Sequence, residues 1–276
     1  MEILIPTLHL FPKLDQKLIE LLRTLQPHEW NNRTLAKQWT VKDIASHLLD
    51  GNLRLLSMVR DQYFGNTPKG LNSYQDLVDF LNGLNGDWVI ATKRLSPKVI
   101  IDLLEHTGSE CHEALEKLDP FATAVFSVAW AGEAESKNWF HIAREYTERW
   151  HHQQQIREAV GREGIMDREF YFPLIDTFMR ALPHTYRNVA AHEHTHVKVQ
   201  VTTEAGGSWS LVFTKGSWTL SPSSLLPTAE VILDPSTAWK LFTKGISGEE
   251  AERKIQFIGD EQLCKPILSM LSVMAK

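Results

Sequence analysis

In the segment "REYTERWHHQQQIREAVG", residues 144–161, Glu148 and His152 stand four positions apart. On a helix that spacing sets two side chains next to each other. The pair can then grip one ion, as paired ligands on one helical face do in zinc hydrolases. A solvated helix with incidental histidines would have the same spacing. A third donor is on offer at His47, in "WTVKDIASHLLD", three after Ile44 and one before Leu48. That position turns the ring toward the apolar side of its helix. It suits a hydrogen-bonded core histidine, and equally an inward ligand of the kind helix bundles assemble from different helices. The residues alone leave both readings open.

The neighbours of these three have their own alternatives. His151 lies about 100° around the helix from His152, which predicts a surface or rim position. His141 and Glu145 form a second i,i+4 pair and an alternative pair of ligands. Arg144 and Arg149 are expected to pair with nearby glutamates or to anchor an anionic substrate. Asp50, three after His47, could hold that ring's free N–H or serve only as a cap or surface residue. "HEHTH", His192–His196, resembles a metal tract, but its alternation reads as the start of a strand. Trp39 and Trp150 are expected to fill core or to line a pocket.

The elements that must carry these residues are legible in outline. Leu18, Ile19, Leu22 and Leu25 recur at helical spacing from Asp15 to Leu25. Thr40 with Asp43 three later opens a second helix like a capping box with the shorter carboxylate, and Ile44, Leu48, Leu55 and Met58 continue one face. A third helix is expected at "SYQDLVDFLNGLNGDWVIATKRL", and Pro97 marks a break before a fourth at "KVIIDLLEHTGSECHEALEKL". The last long helix runs over Asn138–Val160 and ends at Gly161, as a C-terminal glycine should. Together these predict a four-helix bundle, with room for one extra helix.

Beyond about residue 190 the period changes to alternation. Val197, Val199 and Val201 share one face, and "SWSLVFTKG", "SWTLSP" and "AEVILD" read as further strands. Lys215-Gly216 suits a turn, and Pro235 opens a helix. The final stretch, "KIQFIGDEQLCKPILSMLSVMAK", reads as a short strand, a turn at Gly259-Asp260 and a closing helix. The fold class is therefore α+β: a helix-bundle domain over 1–165 and a smaller α+β domain over 166–276, with "FYFPLIDTFMRAL" bridging them.

The charge balance excludes some partners. A formal net charge of −5, with no Lys/Arg run, gives no footprint for nucleic acid or for an anionic membrane. The opening residues lack a basic n-region, and Pro6 and Pro12 break their apolar run, so no signal peptide is expected. No apolar stretch nears the roughly 20 residues of a spanning helix. The two cysteines, Cys111 and Cys264, are far apart. They fit a reducing cytoplasm and neither a disulfide framework nor a cysteine-rich zinc site. No GxGxxG, GxxxxGK[ST] or GxSxG motif occurs.

"WTVKDIASHLLDGNLR" together with "EYTERWHHQQQIREAVG" resembles the N-terminal metal-binding domain of mycothiol-dependent maleylpyruvate isomerases, within the DinB-like superfamily of metal-binding helix bundles. The resemblance spans roughly residues 10–160. "SLVFTKGSWTL", the helix before Gly245 and "FIGDEQL" are similar, more faintly, to the sterol-carrier-protein-like domain of those isomerases. The resemblance implies His47, Glu148 and His152 as metal ligands. It also implies a low-molecular-weight thiol, mycothiol in the namesake enzymes, that adds to an electrophilic substrate. Many relatives carry an acid where Gln155 stands, which predicts a change in the hydrogen bonding behind His152 more than in metal binding. The resemblance also implies an arginine in the second half for the isomerase activity, and it assigns that role to no particular residue here.

Three protein ligands with a fourth position open is the catalytic zinc pattern. Imidazole with carboxylate suits Zn²⁺ best, with Ni²⁺, Fe²⁺ or Mn²⁺ as alternatives. The expected function is thiol-dependent isomerase or S-transferase chemistry on a small molecule, by a monomer or homodimer. The rival readings are a metal-dependent hydrolase and a non-catalytic binder of a metal and an apolar ligand.

Overall fold

A computed structural model describes residues 3–68, 70, 72–223 and 226–274. Five long helices come first. Helix α1 (Phe11–Thr24) carries Pro12 in its first turn, where a missing N–H costs nothing, so the proline opens the helix rather than breaking it. Helix α2 (Val41–Leu55) starts with the full capping box: Thr40 accepts from the Asp43 N–H and Asp43 accepts from the Thr40 N–H. It runs on into a π-helical turn over Leu56–Arg60, which is where the expected continuous helix changes its winding. Helices α3 (Tyr74–Thr92) and α4 (Pro97–Glu116) are capped by Ser73 and Ser96. Helix α5 (Asn138–Val160) ends at Gly161, whose φ of 64° lies in the left-handed region that glycine adopts freely.

Helices α1, α2, α4 and α5 pack against one another, while α3 leans on α2. The latter contact is pinned by hydrogen bonds from Trp88 Nε1 to the Ser46 carbonyl and from Ser46 Oγ to Thr92 Oγ1. Helices α6 (Arg168–Met179) and α7 (Leu182–Tyr186) follow, and α6 packs on α5.

The remainder is a mixed sheet of strands β1 (His196–Val201), β2 (Gly207–Thr214), β3 (Ser217–Leu220), β4 (Ala229–Leu233) and β5 (Gln256–Gly259), in the order β3-β2-β1-β4-β5. Strands β1 and β4 are parallel and the other pairs antiparallel. Lys215 and Gly216, both at positive φ, make the tight β2–β3 turn. Val197, Val199 and Val201 are buried together as their alternation required. Helices α8 (Pro235–Phe242) and α9 (Gly248–Glu252) precede β5.

The expected closing helix is cut short. Helix α10 is only Glu261–Cys264, followed by a 3₁₀ turn over Lys265–Ser269. Pro266 supplies no N–H and crowds the preceding turn, so an α-helix cannot continue through it. Residues 275 and 276 of that stretch lie outside the described residues.

One buried apolar cluster crosses residue 165. It joins Tyr146 and Trp150 of α5 to Tyr171 of α6 and to Trp239 of α8. A second cluster lies among α1, α2, α4 and Ile156. Helix α5 therefore belongs to both. Among the described residues no helix is long and apolar enough to cross a membrane.

Candidate metal centre

Helix α5 is the longest in the molecule, and its rotation is fixed from several sides. Tyr146 donates to the Phe170 carbonyl at 2.7 Å and Trp150 Nε1 to the Ile165 carbonyl at 3.1 Å. Arg149 Nη1 reaches Asp15 on α1 at 3.1 Å. With those three residues held inward, Glu148 and His152 turn toward α2. There they meet His47, and one donor atom from each of the three lies within 4.8 Å of the others. Among the described residues this is the one such group of three or more His, Cys, Asp or Glu side chains.

The group fits a divalent metal on four counts. His152 Nε2 and Glu148 Oε2 are 3.6 Å apart, close to the roughly 3.4 Å expected for two ligands about 2.0–2.1 Å from one tetrahedral ion. His152 Nδ1 lies 2.9 Å from Gln155 Oε1. The amide oxygen only accepts, so Nδ1 carries the proton and Nε2 presents its lone pair. His47 Nδ1 is buried and has no hydrogen-bond partner among the described residues, so that ring brings unspent polar capacity to the site. Burial, helped by the His152 charge, pushes the His47 imidazole well below its ordinary value. Burial likewise lowers His152, to about 3. Both rings are thereby held in the neutral, ligating form. Burial also raises the Glu148 carboxyl, against the pull of His152 and Arg144. A cation there would reverse that penalty.

Gln155 thus sits where the resemblance placed it, behind His152. Other expectations need correction. Asp50 does not hold the His47 ring; Arg54 takes it, with Nε 3.0 Å from Oδ2. His151 is not on the surface: it is 4% exposed, its Nδ1–H donates to the Thr147 carbonyl at 2.8 Å, and its ring packs 3.9 Å from that of His152. It stays outside the triad all the same, with its Nδ1–H spent on the carbonyl one turn back. Arg149 pairs with Asp15, 134 residues away, rather than with a neighbouring glutamate. Arg144 does pair with the adjacent Glu145, and its Nη2 also lies 3.1 Å from His141 Nδ1. Trp150 is core, edge-on to Tyr171 and Trp239. Trp39 lines the site as expected, its ring 4.8 Å from His47 and 6.2 Å from His152. His192 and His194 precede β1, and His196 opens it, buried.

The triad lies in the wall of a cleft of about 1410 Å³. One side is α2 and α5; the others are α3 and the C-terminal half, through residues 241–250 and 268–274. On the C-terminal side the cleft is lined by Lys244 and by no arginine among the described residues. Arg54, which the sequence reading did not single out, joins it from α2. The signal was present: Arg54 is seven after His47, on the same helical face.

The mycothiol maleylpyruvate isomerase N-terminal domain model matches residues 11–157, more than half of the chain. The chain belongs to that family. Two solved structures, of the mycothiol-dependent maleylpyruvate isomerase and of a histidine-to-alanine mutant of it, have the same fold. Each superposes with a TM-score of 0.54, at 11% and 10% identity respectively, over 91% of this chain and 90% of the other. At that identity the likeness is one of fold. No curated protein matches the chain in sequence. The chain itself pairs a helical N-terminal region with an α+β region built on a five-stranded sheet.

Proposed function

We propose that the chain is a metal-dependent enzyme that activates a low-molecular-weight thiol for isomerase or S-transferase chemistry on an electrophilic small molecule. The observation that carries this reading is the convergence of His47, Glu148 and His152 in the wall of a cleft large enough for two small molecules. Family membership supports it, and the solved structures of similar fold are of an isomerase that depends on mycothiol.

His47, Glu148 and His152 would hold the ion, and Zn²⁺ suits two imidazoles and a carboxylate best. When bound, such an ion supplies a Lewis acid that keeps a coordinating thiol deprotonated near neutral pH. The chain's own residues do the rest. Gln155 fixes the His152 tautomer through Nδ1. Trp39 covers the two histidine rings on one side and thins the water around them. The thiol must come from solution, because Cys111 and Cys264 are buried away from the triad and burial raises both thiols, Cys111 to about 11.

Cobalt substitution tests the reading. Sulfur bound to Co²⁺ gives a near-ultraviolet charge-transfer band that oxygen and nitrogen ligands lack. The C111S/C264S variant loaded with Co²⁺ should show no such band alone and should gain one with a small thiol. If mycothiol, glutathione and other small thiols all leave the spectrum unchanged, thiol activation is wrong and hydrolysis by metal-held water becomes the better account.

A further inference from the structure

The metal triad explains only part of the cleft. Leu77, Phe80, Leu81 and Leu84 of α3 recur at 3, 4 and 7 positions, the spacing of a single helical stripe. Such a stripe normally faces a core. Here all four side chains are half-buried and line the cleft, whereas Val78 and Val89 are the fully buried apolar residues that α3 contributes. Leu268, Leu271 and Met274 line it from the C-terminal segment. Helix α3 thus spends its hydrophobic face on an open volume. At about 1410 Å³ that volume exceeds the roughly 300–1,000 Å³ of an ordinary small-molecule cleft.

The polar side of the same cleft carries unspent donors. Arg54 Nε lies 3.0 Å from Asp50 Oδ2, an ion-pair contact that leaves this buried nitrogen without a hydrogen bond among the described residues. Arg144 engages His141 and Glu145 through Nη2, while its Nε is buried without a partner. Arg54 lies seven after His47 and Arg144 four before Glu148, so each shares a helical face with a triad residue. A guanidinium offers five donors in a planar fork that matches a carboxylate. Two guanidiniums with donors left over from their own ion pairs, set across from an apolar wall, select for a ligand with both characters.

We propose that the cleft binds an amphipathic carboxylate, its head on Arg54 and Arg144 beside the triad and its hydrocarbon body along the α3 stripe. This deepens the reading of the cleft as a substrate site and rests on it. A long apolar body, rather than a small diacid, is what the α3 and C-terminal walls fit. The carboxylate belongs to this ligand and not to the thiol, because a hydrophilic thiol gains nothing from those walls.

Isothermal titration of the metal-loaded protein with butyrate, hexanoate, octanoate and decanoate tests this. Each methylene taken up by the apolar wall raises affinity by up to about fourfold, so affinity should climb by roughly tenfold, and at most about sixteenfold, for every two carbons. Decanol, lacking the charge, should bind about tenfold more weakly than decanoate. Arg54→Gln and Arg144→Gln should each cost decanoate about tenfold and leave decanol unchanged. Because Arg144 is largely buried and its variant could misfold, the chain-length series and the decanol comparison on the unmodified protein stand by themselves. Flat affinity along the series, equal binding of decanol and decanoate, or binding lost on metal removal but not in the arginine variants would overturn the proposal. So would arginine variants that weaken glutathione and spare decanoate, which would give the anion site to the thiol. A protein that binds decanoate in the expected pattern but gives no cobalt–thiolate band loses the thiol reading and keeps this one.

Discussion

The two long walls of the cleft are built in opposite ways. Helix α5 is set into both apolar clusters and is tied by Tyr146, Arg149 and Trp150 to partners on α1, α6 and the loop before α6. Helix α3 rests on α2, has two fully buried apolar side chains and contains Gly83 and Gly86 in its middle, with open space where a Cβ would be. A metal centre needs donors held to within a fraction of an ångström, and a rigid buried helix supplies that. A wall that must fit the body of a ligand gains from adaptability. The contrast teaches that this molecule places its ligating chemistry where rotation is over-determined and its apolar surface where the helix is loosest.

The sharpest way to break that contrast is to remove a ligand from the rigid wall. His47→Ala and His152→Ala should each lower metal affinity by at least about 100-fold, beyond the 10–100-fold that changes behind a ligand cost. Gln155→Ala should cost only about tenfold, and His151→Ala should leave the site filled. Metal content per chain after dialysis against a graded chelator reads all four. An empty site in His151→Ala beside a filled one in His152→Ala would mean that α5 is rotated from the orientation described.

The pH dependence of stability probes the same wall. Burial lowers the His141 and His151 imidazoles to about 4, whereas an unfolded histidine titrates near 6.5. Below about pH 6.5 the unfolded chain takes up protons that the folded chain refuses, so stability falls as pH falls, and the share of that fall due to these two rings is complete near pH 4. Above about 6.5 neither residue contributes a slope. Each can contribute up to about 1.4 kcal/mol per pH unit inside that window. Urea midpoints at pH 7, 5.5 and 4.5 should fall in that order, and less steeply in His141→Gln. A pH-independent midpoint would show that these rings are hydrated.

The smallest effect separates the two walls by glycine. Gly83→Ala and Gly86→Ala meet nothing within 4 Å, so each should stabilise α3 by about 0.5–1 kcal/mol. Gly108→Ala on α4 would put its Cβ 2.9 Å from Asp15 Oδ2, pressing on the ion pair that orients Arg149, and should destabilise. Thermal melts decide it. Stabilisation at Gly108 or destabilisation at Gly83 would erase the distinction.

Much of this was legible in the sequence because it is written in local signals. The Thr40–Asp43 capping box, the Gly161 stop and the span Asn138–Val160 depend on residues within a turn of each other, and all three appear as read. The triad was legible for a mixed reason. Spacing brought Glu148 and His152 together and offered His47 as an inward donor, but only the resemblance joined the three, since nothing within α2 says that it faces α5. What failed were two readings of which partner a side chain would choose. Arg149 found Asp15 on the far side of the chain and Asp50 went to Arg54 instead of His47, whereas Trp150 took the core position that was one of its two expected readings.

The sequence by itself therefore determined where most of the long helices of the first half start and stop, which half is sheet, and which residue types could ligate. Those follow from periodicity, capping and proline geometry, whose range is three or four residues. Only the tertiary structure decided which face of α5 meets α2, that His151 is buried, and that the apolar stripe of α3 faces a cleft instead of a core. Each of those is a choice among faces that the helical period leaves equivalent, and it is made by contacts between residues dozens to more than a hundred positions apart.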